Sequence, residues 1–225
     1  MADDEVTVLP LFPLGTVLFP AAPLPLHIFE ERYRRMMADR KGQDPVFGVV
    51  LTRQGREVGE EPETYEIGTA ASLLALSTYQ DGRLEIAVVG GRRFRIISGD
   101  WSRGYLLGTI VWLDETRDGV SLERLYDLRR GAISAFSAFV RAIAKRIEAD
   151  VPVEIFPDSP TETSYAIAAR LPINTWERQA LLEIPTTAAR LEALTGVLIR
   201  ERNLLTEMGA AGGVIDQPSR RFNPN

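Results

Sequence analysis

His27 is the one histidine in this 225-residue chain, Lys41 and Lys145 are its two lysines, and it has no cysteine. Few routes to catalysis are open to such a set. A Ser-His-Asp arrangement must use His27, and no serine stands in a G-x-S-x-G setting. A Ser-Lys dyad must use Lys41 or Lys145, and Lys145 lies in AIAKRIE, which reads as the solvated face of an amphipathic helix. His27 follows Leu26 and precedes a helical pattern, so it is expected to be a structural histidine. An all-carboxylate metal site would need Glu57, Glu60, Glu61 and Glu63; their spacing fits no metal loop, and a charged loop is the plainer reading. Neither G-x-x-x-x-G-K-[ST] nor G-x-G-x-x-G occurs. The absence of cysteine excludes disulfides, thiolate zinc and a thiol nucleophile. The expectation is a chain with no cofactor, no metal and no catalysis of its own.

Two groups of residues remain that can bind. One is Gly90-Gly91-Arg92-Arg93-Phe94-Arg95, where arginines interleaved with an aromatic can hold phosphate or stack on bases. On a strand, Arg93 and Arg95 share one face and Arg92 and Phe94 the other. That makes Phe94 core and places Arg93 and Arg95 on a rim. The other is the apolar strap FPAAPLPL, residues 19–26. If it is extended, its apolar side chains cannot all point inward, and an exposed apolar groove takes extended polypeptide. The plainer reading is a strap packed over the β part.

The run from Val6 to Phe29 carries no formal charge over 24 residues with His27 neutral, a length that matches a membrane span. Five prolines between Pro10 and Pro25 forbid one continuous helix, and irregular backbone is not tolerated in lipid. The N-terminal MADDEV is acidic where a secretory signal is basic. A cytoplasmic protein without a membrane segment is expected. The net charge is −5, with 24 arginines against two lysines. The part before Gly119 has 18 acidic and 13 basic residues and the rest 13 of each. Neither part has the positive field on which nucleic-acid binding relies.

The elements that position these residues fall into two regimes. Residues 6–12 and 16–19 read as short strands joined by Pro13-Leu14-Gly15, and 20–26 as extended. Phe29, Tyr33, Met36 and Met37 then recur at helical spacing, closing near Gly42. Strands follow at 46–52, 66–79, 83–90, 92–97 and 105–113, with Asp81-Gly82 as a hairpin turn. After Gly119 the period is helical. Leu122 to Ile147 makes one long amphipathic helix; Ser159-Pro160-Thr161-Glu162 and Asn174-Thr175-Trp176-Glu177 start two more. Pro185-Thr186 opens a last helix running toward Met208. The fold class is α+β: a β part over 1–118, a helical bundle over 119–208 and a flexible tail over 209–225.

LPLFPLGTVLFPAAPLPLHIFEERYRRMM, EIGTAASLLALSTYQDGRLEIAVVGGRRFRI, ARLPINTWERQALLE and IPTTAARLEALTGVLIRERNLL together resemble the substrate-binding domain found at the N-terminus of ATP-dependent Lon proteases. The resemblance covers residues 6–208. It implies a PUA-like β pseudo-barrel followed by a helical bundle with a long last helix. It also implies recognition of unfolded or extended polypeptide, as an adaptor or chaperone-like protein working with a protease or other quality-control protein. The P-loop and the Ser-Lys peptidase dyad of those proteases have no counterpart here, so the chain resembles a stand-alone, non-catalytic Lon-domain protein. Self-association is left open. Phe19, Pro20, Leu24 and Pro25 are expected to contact peptide, with Arg93 and Arg95 on a polar rim. The alternative is RNA binding, since PUA-like barrels often bind RNA, carried by Arg92, Arg93 and Arg95.

Overall fold

Strand β1 (Val6–Leu14) pairs on both sides, antiparallel with β7 (Leu106–Leu113) and parallel with β3 (Val46–Gln54). The second pairing closes the sheet. The circuit runs β1–β7–β6–β5–β3 and back to β1, with β5 at Ile67–Thr78 and β6 at Leu84–Asp100. Strand β2 (Pro23–Ile28) attaches outside the circuit to β6, and the two-residue β4 (Glu63–Thr64) to β3. Helix α1 (Glu31–Asp39) follows β2. Helices α2 (Leu122–Ile147), α3 (Pro160–Arg170), α4 (Thr175–Glu183) and α5 (Thr187–Gly212) follow the last strand. The structure is a computed structural model and describes residues 6–40, 46–54, 61–116, 119–151 and 154–212. Among the described residues, seven strands and five helices, with all helices but α1 after the last strand, agree with the expected α+β class.

Local chemistry explains the boundaries. Gly82 takes φ +82 at the Asp81-Gly82 turn, a backbone state that costs glycine little, and Tyr79 N–H donates to Arg83 O across it at 2.9 Å. The Oγ of Ser121 caps α2, accepting from Arg124 N–H, and the Oγ of Ser159 caps α3, accepting from Glu162 N–H. At α4 the cap is reciprocal: Asn174 Oδ1 accepts from Glu177 N–H at 2.9 Å, and Asn174 Nδ2 donates back to Glu177 Oε2 at 2.7 Å.

Three apolar clusters form. Leu11, Val50, Phe94 and Ile110 fill the barrel interior. Tyr33, Met36 and Met37 of α1 pack on Phe12, Phe47, Ile86 and Val88. Phe136, Phe139, Leu191, Leu194 and Leu198 form the helical core, which also takes Val17 and Phe19 from the N-terminal segment.

The structure departs from expectation in that segment. Residues 16–19 are irregular, not a strand, while 23–28 form one. Val17 and Phe19 turn into the helical core while Leu18 turns into the α1 cluster, the alternation of an extended chain, but no strand among the described residues pairs with 16–19. The two expected strands at 83–90 and 92–97 are one strand of 17 residues, bent where its register shifts against β5 and β7. The α1 pattern starts after Phe29, which is 54% exposed, and the expected close near Gly42 lies outside the described residues.

Tyr33 is the ionisable anchor of the α1 cluster. Its ring lies 4.1 Å from that of Phe12, and burial pushes its phenol up to about 12 from an ordinary 10.0. A raised folded-state value contributes stability that is full below pH 10 and is lost as pH climbs toward 12. Wild-type stability should therefore fall by about 1–3 kcal/mol over that window on account of this group. Tyr33→Phe should flatten the fall when urea unfolding is followed at successive pH values; an unchanged profile would show that Tyr33 is not its source.

Candidate functional site

The strap crosses the sheet at Gly90. A Cβ at that position would stand 2.1 Å from Phe19 O, so no other residue lets the strap lie this close. Ala21 N–H donates to Gly90 O at 2.8 Å and Gly90 N–H donates to Ala22 O at 2.9 Å. Phe19-Pro20-Ala21-Ala22 is itself a β-turn, with Ala22 N–H donating to Phe19 O at 3.1 Å. Proline at its second position is favourable, but Ala21 at its third takes φ 61, a state that costs an L-residue about 1–2 kcal/mol. The surrounding bonds hold the turn there against that cost.

Beyond the turn, β2 runs antiparallel to β6 with Leu24 opposite Val88 and Leu26 opposite Ile86. Leu24 and Leu26 lean on the α1 cluster, and Pro23 and Pro25 are exposed on the other face. Gly90 donates to Ala22, so strand parity directs the backbone of 24 and 26 toward β6 and that of 23 and 25 outward. The prolines thus sit where an N–H would face solvent, and a further strand cannot pair there. Binding at this edge must use side chains.

A cleft of about 700 Å³ opens beside the strap. Pro20 to Leu24 form one wall, and Glu162, Ala166, Ala169 and Arg170, spaced along one face of α3, form the other. Ile155, Phe156 and Pro157 stand at its mouth, and Thr16 to Leu18 and Arg178 lie at its base. Ala166 and Ala169 keep the α3 wall low. Ile155 is 83% exposed, while Phe156 is fixed edge-on against Phe136, ring centres 5.4 Å apart. Of the expected peptide contacts, Pro20 and Leu24 line this cleft. Pro25 faces a separate shallow surface with His27, Ala75 and Glu85. Phe19 is fully buried, 6.5 Å from the ring of Tyr165, so it supports the lip from behind and touches no ligand.

The arginines are not brought together. Arg95 is exposed, but Arg93 is 4% exposed, and the expected place on the rim is corrected for it. The two do share a face, as strand parity requires. The helical part covers that face at Arg93 and ends before Arg95. The Nη1 of Arg93 donates to Leu182 O at 2.7 Å and Ile184 O at 2.8 Å, and its Nη2 to Glu115 Oε1 at 3.2 Å. Arg92 is engaged elsewhere, donating to Asp114 at 3.0 Å and lying over Trp112.

Sequence reasoning missed the partner in that arrangement. Glu115, just past β7, is an acceptor shared by four residues. Arg190 Nη2 donates to its two oxygens at 2.9 and 2.8 Å, Thr187 Oγ1 to Oε2 at 3.0 Å, and Tyr165 O–H and Arg93 to Oε1. Arg190 is fully buried, donates also to Ser164 Oγ and Ile184 O, and lies 3.9 Å over the Tyr165 ring. Burial pushes the Tyr165 phenol well up and the Arg93 guanidinium down. The only sequence signal was an arginine at an otherwise apolar position of α5.

His27 lies at the other end of β2. It is 3.9 Å from Glu85 and within 6.3 Å of the rings of Phe29 and Tyr79. Phe29 and Tyr79 are exposed as well, so this end of β2 presents an aromatic surface. Of the acidic loop, positions 57 and 60 lie outside the described residues. Among the described residues no group of three metal-ligating side chains comes together, and no helix is long and apolar enough to cross a membrane.

By its architecture this is an α+β protein in which a closed β pseudo-barrel and a helical bundle meet at an apolar cleft. Comparison gives the family. The ATP-dependent protease La (LON) substrate-binding domain matches residues 8–200, and the chain belongs to that family. It is 28% identical to Lon protease 2 of Syntrophobacter fumaroxidans over 206 residues, which is 88% of this chain and 25% of that protein. Against Lon protease of Escherichia coli K12 it is 28% identical over 206 residues, 89% of this chain and 25% of that one. The chain thus spans about a quarter of the length of these relatives. The crystal structure of the Lon N-terminal domain protein from Xanthomonas campestris superposes with a TM-score of 0.61 at 25% identity, over 84% of this chain and 98% of that one. The N-terminal domain of the Mycobacterium avium complex Lon protease gives 0.60 at 15% identity, over 88% and 98%, a likeness of fold.

Removing the Glu115 carboxylate leaves two buried guanidinium groups without their anion. Glu115→Ala should destabilise the protein by about 3–5 kcal/mol, read as a lowered urea midpoint. Gly90→Ala should cost about 1–3 kcal/mol by pushing the strap off the sheet, since the atom it meets is backbone. A midpoint unchanged in either variant contradicts the corresponding contact.

Proposed function

We propose that this chain binds extended, apolar stretches of polypeptide in the cleft between the Pro20–Leu24 strap and α3. The single observation that carries the reading is the cleft itself. It is concave, walled by proline, alanine and leucine, and built on a strap whose turn is fixed by the bonds to Gly90. A preorganised apolar wall binds without first being ordered, which keeps the entropic cost of association low. Prolines on the outer edge of β2 block pairing with an added strand, so side chains of the ligand must carry the contact. The family to which the chain belongs is described by substrate binding, and its matched relatives are proteases. Both support a role in presenting polypeptide, as an adaptor or chaperone-like protein beside a protease or other quality-control protein. Pro20 and Leu24 are the expected contacts retained by this reading; Ala166 and Ala169 join them.

An array of overlapping peptides from an unfolded protein tests the proposal, with affinities for the best binders measured by fluorescence anisotropy. Leu24→Asp and Ala166→Glu put a charge on opposite walls and should each weaken capture at least tenfold. Tyr79→Ser, on the exposed aromatic surface by His27, should leave it unchanged. The reverse pattern places the site on that aromatic surface and overturns the cleft.

A further inference from the structure

Arg178 is a half-buried cation. It reaches from α4 to the base of the cleft, where Nη1 donates to Ala169 O at 3.3 Å and Leu171 O at 3.1 Å, and Nη2 to Val17 O at 3.5 Å. Its guanidinium lies 5.3 Å over the Phe19 ring. Among the described residues no carboxylate comes within ion-pair distance of it. Burial alone pushes its pKa down, and no neighbouring charge is among the causes. Three bonds to carbonyl oxygens satisfy three of the five guanidinium N–H donors and neutralise no charge. Nε–H and a second Nη2–H remain to donate to an anion.

The rest of the cleft has a direction. Arg170 lines it at the C-terminal end of α3, donating to Ala166 O at 3.0 Å and standing 3.7 Å from Glu154. Glu162 lines it one face-length earlier on the same helix. Eight residues of helix separate the two, a distance of about 12 Å. An extended chain covers that in about four residues. The cleft therefore offers two arginines against one carboxylate, Glu154, at one end, Glu162 at the other, and an apolar wall between them of about four residues' reach.

We infer that the cleft is selective for the C-terminal end of a polypeptide, seating its last four or so apolar residues along the strap with the terminal carboxylate on Arg178 and Arg170. The inference rests on the polypeptide-binding reading above and adds to it the class of ligand and its direction. Charge complementarity decides the direction. A carboxylate beside Arg178 compensates a partly desolvated cation, whereas one beside Glu162 meets its own sign. An internal segment of the same composition carries no carboxylate to place there and loses the charge-assisted bonds.

The test uses the full chain and one fluorescent, N-terminally labelled apolar hexapeptide made as the free acid and as the C-terminal amide. Anisotropy titration should give at least a tenfold tighter Kd for the acid, and the ratio should shrink as salt is raised. In Arg178→Gln the acid should lose at least tenfold relative to the amide, so that the ratio of the two Kd values falls toward one. Arg170→Gln should shift the acid in the same direction by a smaller factor. The comparison of acid with amide on the wild-type chain needs no variant to fold. Acid and amide bound equally well would overturn the C-terminal preference and leave the cleft as a peptide site. Neither peptide bound would overturn both readings. Retention of the full acid preference in Arg178→Gln would remove Arg178 from the site.

Discussion

The arrangement of the two parts depends on one carboxylate. Glu115 stands where the last strand ends, and four donors from β6, α3 and α5 converge on it. Arg93 and Arg190 bring two positive charges to one negative one, and they donate further to the carbonyls of Leu182 and Ile184 at the end of α4 and to the Ser164 hydroxyl. A buried ion pair is a poor source of net stability, because desolvation offsets much of the attraction. Its value here is geometric. An apolar contact between sheet and bundle tolerates sliding; a shared carboxylate with Arg190 Nη2 seated on both its oxygens, and Arg93, Tyr165 and Thr187 donating to the same group, tolerates very little. The node fixes how the bundle sits on the barrel.

The strap depends on that relation and reinforces it. Val17 and Phe19 belong to the helical core, Leu18 to the α1 core, and Ala21 and Ala22 are bonded to Gly90 on β6. Six residues therefore join three packed regions. The positive φ of Ala21 is a consequence: the chain must turn sharply after Phe19 to reach β6. The lip of the cleft is shaped by demands on its hidden side.

This explains which features were legible in the sequence. Caps such as Ser159 and Asn174, the Asp81-Gly82 turn and the helical periods are set by neighbours within a few residues, so they could be read directly. So could the exclusion of a membrane helix from Val6 to Phe29, which follows from proline chemistry alone. Strand parity correctly paired Arg93 with Arg95 and put Phe94 inside. Parity does not say what covers the outer face, and the covering helices come from residues 160–205. Arg93 therefore looked like a rim residue and is a buried anchor. Phe19 looked like a contact and is the support beneath one. Glu115 gave no local signal at all, since its partners lie 22 to 75 positions away. The resemblance to Lon substrate-binding domains supplied the architecture and did not separate the residues behind the cleft from those lining it.

Helix α3 links the node to the cleft. Ser164 and Tyr165 project toward Arg190 and Glu115, while Glu162, Ala166, Ala169 and Arg170 form the cleft wall. At 3.6 residues per turn these sets occupy different sides of one short rod, so fixing the first fixes the second. The opposite wall, the strap, is held through Phe19, whose ring packs near Tyr165 of the same helix. Both walls are thus referred to α3 from behind. The width of the cleft follows from a polar network behind it, and a rotation of α3 by one residue, about 100°, would bring Tyr165 or Ile167 into the place of Ala166 and narrow it.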